Sequence, residues 1–363
     1  MYTFNWLVSR KVDLAVFFLP FFFGVLALWL LQQPNTAASV AVFFLVSQFF
    51  GVGPLHLGPA WKLLSEPRIY ECVVGTGRRR IFALSLLFGI LLGVPIAYAF
   101  YPAFVLAVFI AFTIHHLTAQ NMGILRLYYN HGAEVVPERG LEVATVQWAA
   151  WFFSSVFVYR TALLTGLEGL VLLLFAAVAL INCLISSIRY FQDMTAKARS
   201  KDLPINRAAI LFWCVSLLFL APLAFWGKSY EEGIMIPLVM HWAQYLGLNW
   251  ILACRKQKGS VEEHGHTSKL LVYGIGIACL FMTIGCVGAL GYEYGAFGQY
   301  GKAVYDLVFG VILAFSFVHY LQDAFVWKFS EPVLRQEILA YLKESPSSKS
   351  ASPVEEPGVC HVR

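Results

Sequence analysis

The sequence predicts an all-α polytopic membrane protein, a transmembrane helical bundle of about ten spans with both termini cytoplasmic. Three observations predict it. Only 13% of residues are charged, while 59% are apolar and the mean hydropathy is +0.68; a soluble chain carries roughly a quarter charged residues. The charges fall in short clusters between apolar runs long enough to cross ~30 Å of hydrocarbon. The basic clusters also alternate from one side to the other, as the positive-inside rule requires.

Runs of spanning length fall at 12–31, 37–61, 81–100, 102–125, 141–159, 167–188, 208–226, 234–254, 270–290 and 303–327. The first follows Arg10-Lys11 as a leader would. It is long for a signal peptide and ends in Gln32-Gln33-Pro34-Asn35 without a small-residue cleavage site, so it reads as a retained span. The second contains Gly51-Val52-Gly53-Pro54-Leu55-His56-Leu57-Gly58-Pro59, whose two prolines predict a broken helix. Irregular backbone at that depth is tolerated only where it is buried in protein or lines a cavity. The third and fourth form a hairpin across Tyr101-Pro102. On this threading all of the 26 lysines and arginines face the cytoplasm except Arg160, Lys228 and Lys302.

One membrane domain is therefore expected over 1–344, with a disordered Ser/Pro-rich tail at 345–363. Glu331 to Lys343 predicts a short amphipathic helix on the inner surface. The expected location is the cytoplasmic (inner) membrane. The net charge of +5 belongs to span-flanking residues that meet headgroups, so no nucleic-acid partner is expected. The seven cysteines include no C-x-x-C pair and read as small core residues rather than disulfides or zinc ligands. Phosphate loops, nucleophile elbows and zincin motifs are absent.

The histidines carry the functional argument. His131, His264, His266 and His361 fall in loops or the tail, whereas His56, His115, His116, His241 and His319 lie inside even-numbered spans. Counting to the first cytoplasmic base at 1.5 Å per residue puts His56, His116, His241 and His319 roughly 9, 15, 21 and 13.5 Å from the inner boundary. Helical spacing sets Asp323 one turn from His319, Gln120 one turn from His116, and Gln244 and Tyr245 one turn from His241. A lone membrane histidine is usually a hydrogen-bonded helix contact, and Asp323 stands close enough to Lys328 to reach the interface. Four imidazoles in one slab with an acid at chelating spacing instead predict a metal site. The metal residues would be His56, His116, His241 and His319, with His115 the alternative to His116. Asp323 would be a ligand or base, and Gln120 and Tyr245 would support the rings or the chemistry. Imidazole and carboxylate suit iron, copper or zinc, and the lack of sulfur near the histidines argues against Cu(I).

The motif order resembles a family of largely uncharacterised bacterial multi-pass membrane proteins. The resemblance is carried by Pro54-Leu55-His56, the H-x3-Q-N-x-G pattern from His116 to Gly123, His241-Trp242-Ala243-Gln244-Tyr245, and the segment His319 to Lys328 with Pro332 and Arg335. It implies His116 rather than His115 as the functional residue. More distantly, Leu55-His56, Ile114-His115, His241 and His319-x3-Asp323 look similar to motifs of the Brp/Blh-type bacterial β-carotene dioxygenases. That family's first acid has no counterpart here, Gln120 stands near its second, and the last spacing differs. The resemblance implies an iron site inside the bilayer acting on an apolar substrate, rather than carotenoid cleavage itself.

The leading expectation is thus an iron-dependent oxidoreductase or oxygenase acting on a lipid, isoprenoid or other apolar small molecule. Haem b held by paired histidines, with quinone as partner, is the first alternative. A proton or metal-ion transporter using the same histidines is the second. The bilayer is the one obligatory partner, and a homo-oligomer stays open.

Overall fold

A computed structural model of the chain describes residues 2–33, 53–129, 134–138, 140–161, 166–227, 230–258, 266–293 and 298–343. The tail expected at 345–363 and residues 37–52 of the expected second span lie outside the described residues. Seven helices among these are long and apolar enough to cross a membrane: Arg10–Leu30, Gly77–Phe100, Pro102–Tyr129, Leu141–Thr161, Leu167–Lys201, Arg207–Phe225 and Gly301–Val326. The chain is a helical membrane protein.

In chain order the helices begin with α1 (Arg10–Leu30), which contains a π turn at Leu14–Phe18. The next three are short: α2 (Gly53–Leu55), α3 (Gly58–Leu64) and α4 (Pro67–Val74). Four long helices follow, α5 (Gly77–Phe100), α6 (Pro102–Tyr129), α7 (Leu141–Thr161) and α8 (Leu167–Lys201). Then come α9 (Arg207–Leu218), α10 (Ala221–Phe225), α11 (Tyr230–Lys258), α12 (His266–Glu293) and α13 (Gly301–Val326). The last described elements are α14 (Pro332–Leu334), a π turn and α15 (Ala340–Lys343). Strands are limited, among the described residues, to β1 (Tyr2–Thr3) and β2 (Ile205–Asn206), paired in parallel.

Two departures from the expected spans have local causes. The α8 helix runs 35 residues, well past the apolar segment. Hydropathy marks the edge of the hydrocarbon rather than the end of a helix, and the Asp193–Lys197 pair (2.9 Å, i,i+4) supports the polar extension. Asp202, in a left-handed conformation at φ 53°, terminates it. The seventh span divides into α9 and α10 because Pro222 cannot donate into a preceding turn and instead opens a new helix.

The chain divides into two compact units, 1–41 with 114–245, and 42–113 with 246–363; α6 and α11 each run from one into the other. In the first unit, α7 packs along α8 and against α9 and α10. Phe17, Tyr128 and Phe212 pack their rings together, and Tyr190 stacks on Trp213 at 4.8 Å. The Trp213 indole donates to Thr145 Oγ1 at 2.8 Å, so the buried N–H is satisfied. Asp13, fully buried, accepts from the backbone N–H of Leu7 (2.6 Å) and Val8 (3.0 Å) and from the Tyr128 hydroxyl (2.8 Å).

In the second unit, α13 packs against α5 and α12, and α12 also crosses α3. Gly310 makes the first of these approaches possible: a Cβ there would lie 2.7 Å from Pro95 Cα. The segment from Pro332 onward does form short helices, but it buries Leu334, Ile338 and Leu342 in this unit instead of lying free on the membrane surface. Arg255 holds it by donating to the carbonyls of Tyr341 (2.9 Å) and Leu342 (2.7 Å). Nearby, buried Lys62 and half-buried Lys256 share Glu66, at 3.6 and 2.7 Å. The expectation that every cysteine is a free core residue needs correction. Cys72 is disulfide-bonded, while Cys183, Cys214, Cys254 and Cys279 are free thiols.

Candidate metal centre

In the second unit the site is built on a helix break. Pro59 has no N–H to offer the carbonyl of Leu55, so the helix stops after Leu55 and restarts at Gly58, leaving His56 and Leu57 in a turn. The break leaves the Gly53 carbonyl to accept from His56 Nδ1. A carbonyl only accepts, so Nδ1 carries the proton and the neutral ring presents its lone pair at Nε2. Locking the tautomer through the distal nitrogen is how proteins orient ligating histidines.

Two glycines set the position of that turn. A Cβ on Gly58 would lie 2.3 Å from Gly274 Cα, and one on Gly274 would lie 2.9 Å from Leu55 Cδ1. Backbone of α12 therefore sits against both flanks of His56.

Across from it, α13 presents His319 and Asp323 one turn apart, with Nε2 and Oδ2 separated by 3.6 Å. The rings of His56 and His319 meet edge to face, centroids 4.6 Å apart at 88°. His56, His319 and Asp323 are all buried. Beside them, Thr113 gives its hydroxyl proton to the Phe109 carbonyl (2.8 Å), so in its 2.8 Å contact with Tyr320 the tyrosine donates. Phe109 and Phe317 enclose the Tyr320 ring, an apolar wall next to His319.

In the first unit, α6 and α11 bring together His116 and His241, centroids 4.8 Å apart at 77°. Gln120 donates Nε2 to the His241 carbonyl and to Gln244 Oε1, both at 3.1 Å, and Gln244 reaches Asn121 Oδ1 at 3.4 Å. This amide ladder ties α6 to α11 beside the pair. Gln120 therefore holds the backbone of His241 rather than its ring, which departs from the supporting role expected for it. Its Oε1 is buried with no hydrogen-bond partner among the described residues. Tyr245 is buried with its ring 6.1 Å from that of His241.

No protein-family model, curated protein or solved structure matches the chain. The residues themselves carry the functional reading.

Of the predicted site residues, the structure gathers His56, His319 and Asp323 in one unit, and His116, His241, Gln120 and Tyr245 in the other. His115 is exposed, turned about 100° from its buried neighbour His116 on the same helix, so its place as a candidate ligand is withdrawn. Gln322, part of the motif from His319 to Lys328, is buried one turn from His319.

The donors fit a metal ion. Bonds of ~2.1 Å from one ion to two imidazoles at about a right angle bring the ring centroids to roughly 4.5–5 Å, the separation within each pair. Edge-to-face aromatic packing has the same spacing, so the carboxylate and the fixed His56 tautomer favour a ligand role. Haem fits less well inside either pair. Axial histidines on opposite faces of a porphyrin hold their centroids roughly 6 Å apart with the macrocycle between them, whereas these rings touch each other.

Proposed function

We propose that the chain is a membrane-embedded, metal-dependent oxidoreductase, with iron as the metal and a lipid, isoprenoid or other apolar molecule as substrate. The observation that carries the reading is the buried group of His56, His319 and Asp323. It combines a tautomer-locked imidazole, a second imidazole in ring contact and a carboxylate one turn away. Ionisable side chains in membrane helices are costly and mark function. In this reading His56, His319 and Asp323 are ligands in one unit and His116 and His241 in the other, nitrogen and oxygen donors without sulfur that suit iron. Bound iron would supply activation of dioxygen.

The chain's own residues do the remaining work. The Gly53 carbonyl fixes the His56 ring, and the Gln120–Gln244–Asn121 ladder holds α6 and α11 in register. Asp323 offsets the charge of a bound cation, and the surrounding apolar side chains exclude bulk water. The alternation of basic clusters supports ten spans with both termini in the cytoplasm, and the motif resemblances support the same class of site.

Elemental mass spectrometry of the protein purified in detergent tests the proposal. Wild type should retain iron, and His56→Ala, His319→Ala, His116→Ala and His241→Ala should each lower the iron bound while remaining monodisperse. No metal above background in wild type after iron-replete growth, or variants indistinguishable from it, ends the proposal. A second reading, a proton or metal-ion transporter, draws on the helix break at His56, since broken helices mark transporter sites. Flux in proteoliposomes that is lost in His56→Ala would favour it.

A further inference from the structure

On α13 the buried positions His319, Gln322, Asp323 and Val326 share one side of the helix, whereas Ala324 faces outward. Gln322 follows His319 by three residues, the spacing at which helix side chains are neighbours. The side chain is 93% withdrawn from solvent, at 7% exposure, yet its Oε1 meets no hydrogen-bond donor among the described residues. Helices in hydrocarbon satisfy their polar side chains with partners or use them on a ligand. A leucine of similar size would fill this position without an amide to satisfy.

We infer that Gln322 is a specificity-determining residue that hydrogen-bonds a hydroxyl group on an otherwise apolar ligand held beside His319 and Asp323. A hydroxyl suits this position because its O–H donates to the unpaired Oε1. The inference rests on the proposed ligand-holding role of His319 and Asp323, and it narrows the substrate class from apolar molecules in general to those bearing an alcohol.

Oleyl alcohol, which can donate, and oleyl methyl ether, which can only accept, are suitable probes. Each is titrated into the purified full-length protein in detergent, and binding is read from the shift in unfolding temperature and from tryptophan fluorescence. Wild type should bind the alcohol at least tenfold more tightly than the ether. Gln322→Leu should remove that preference while leaving ether binding unchanged, and Gln322→Asn should restore part of it. Equal binding of the two probes by wild type, binding of neither, or a preference that survives in Gln322→Leu overturns the assignment. If the preference is absent and Gln322→Leu merely raises the unfolding temperature, the amide holds a water only. Metal content measured on the same preparations separates the two ideas. Metal without alcohol preference removes the Gln322 assignment alone, and a Gln322-dependent preference without metal removes the metalloenzyme reading instead.

Discussion

Replacing Gly58 with alanine tests how the His56 turn is held in place. The new Cβ would lie 2.3 Å from Gly274 Cα and 2.4 Å from its nitrogen, where ordinary contacts begin at 3.4 Å. Both atoms are backbone, so no side chain can swing aside and α12 must retreat by more than an ångström. Overpacking of this kind costs about 1–3 kcal/mol, and the rigid partner places this case near ~3 kcal/mol. If a unit of 150–250 residues unfolds together, the midpoint falls by roughly 6–12 °C. The matched control is Gly89→Ala on α5, where an added Cβ meets nothing within 4 Å. Removing a helical glycine there should leave stability unchanged or raise it by about 0.5–1 kcal/mol. Differential scanning fluorimetry in detergent measures both, and metal content measured alongside should drop only in the Gly58 variant. A Gly58→Ala protein as stable and as metal-replete as wild type would refute the claim that this crossing positions His56.

Three further outcomes follow from the packing. Tyr128→Phe removes the hydroxyl from buried Asp13 and should cost about 1.5–3 kcal/mol, the value of a hydrogen bond to a charged group; an unchanged denaturant midpoint contradicts it. Burial, opposed by the neighbouring Glu66 carboxylate, holds the Lys62 ammonium below the usual lysine value. The unfolded chain then binds more protons than the folded one between that lowered value and the ordinary one. Stability should therefore rise with pH through this window, the penalty being fully present below it. Lys62→Met should flatten the alkaline rise in unfolding temperature, and a rise of equal slope in the variant would argue against the assignment. Arg255→Ala removes both hydrogen bonds to the Tyr341 and Leu342 carbonyls. Amide exchange across 332–343 should accelerate at least tenfold, whereas unchanged protection would show that Leu334, Ile338 and Leu342 hold the segment unaided.

Legibility from sequence followed the range of the forces involved. Spans were readable because hydrocarbon selects against charge residue by residue, and eight of the expected apolar runs coincide with described helices or helix pairs that extend at most a few residues beyond them, with α8 the clear exception. The break at His56 was readable because proline removes a donor wherever it stands. Depth along a helix could be counted, but rotation and neighbours could not. Nothing local in the chain pairs His56 with His319, or His116 with His241; those pairings follow from helix packing such as the Gly58–Gly274 crossing. Between His115 and His116 the motif resemblance already favoured His116, the one that α6 buries. Gln120 was found for its spacing, yet its partner proved to be a main-chain carbonyl, which no side-chain pattern encodes.

The 35-residue rod of α8 offers practical leverage for imaging. At 1.5 Å per residue it measures roughly 50 Å, well beyond the greasy layer's ~30 Å, so its final turns stand clear of a detergent belt. A rigid fiducial fused in helical register at that end would move with the chain as one body. That gives electron cryomicroscopy an alignment mark outside the micelle.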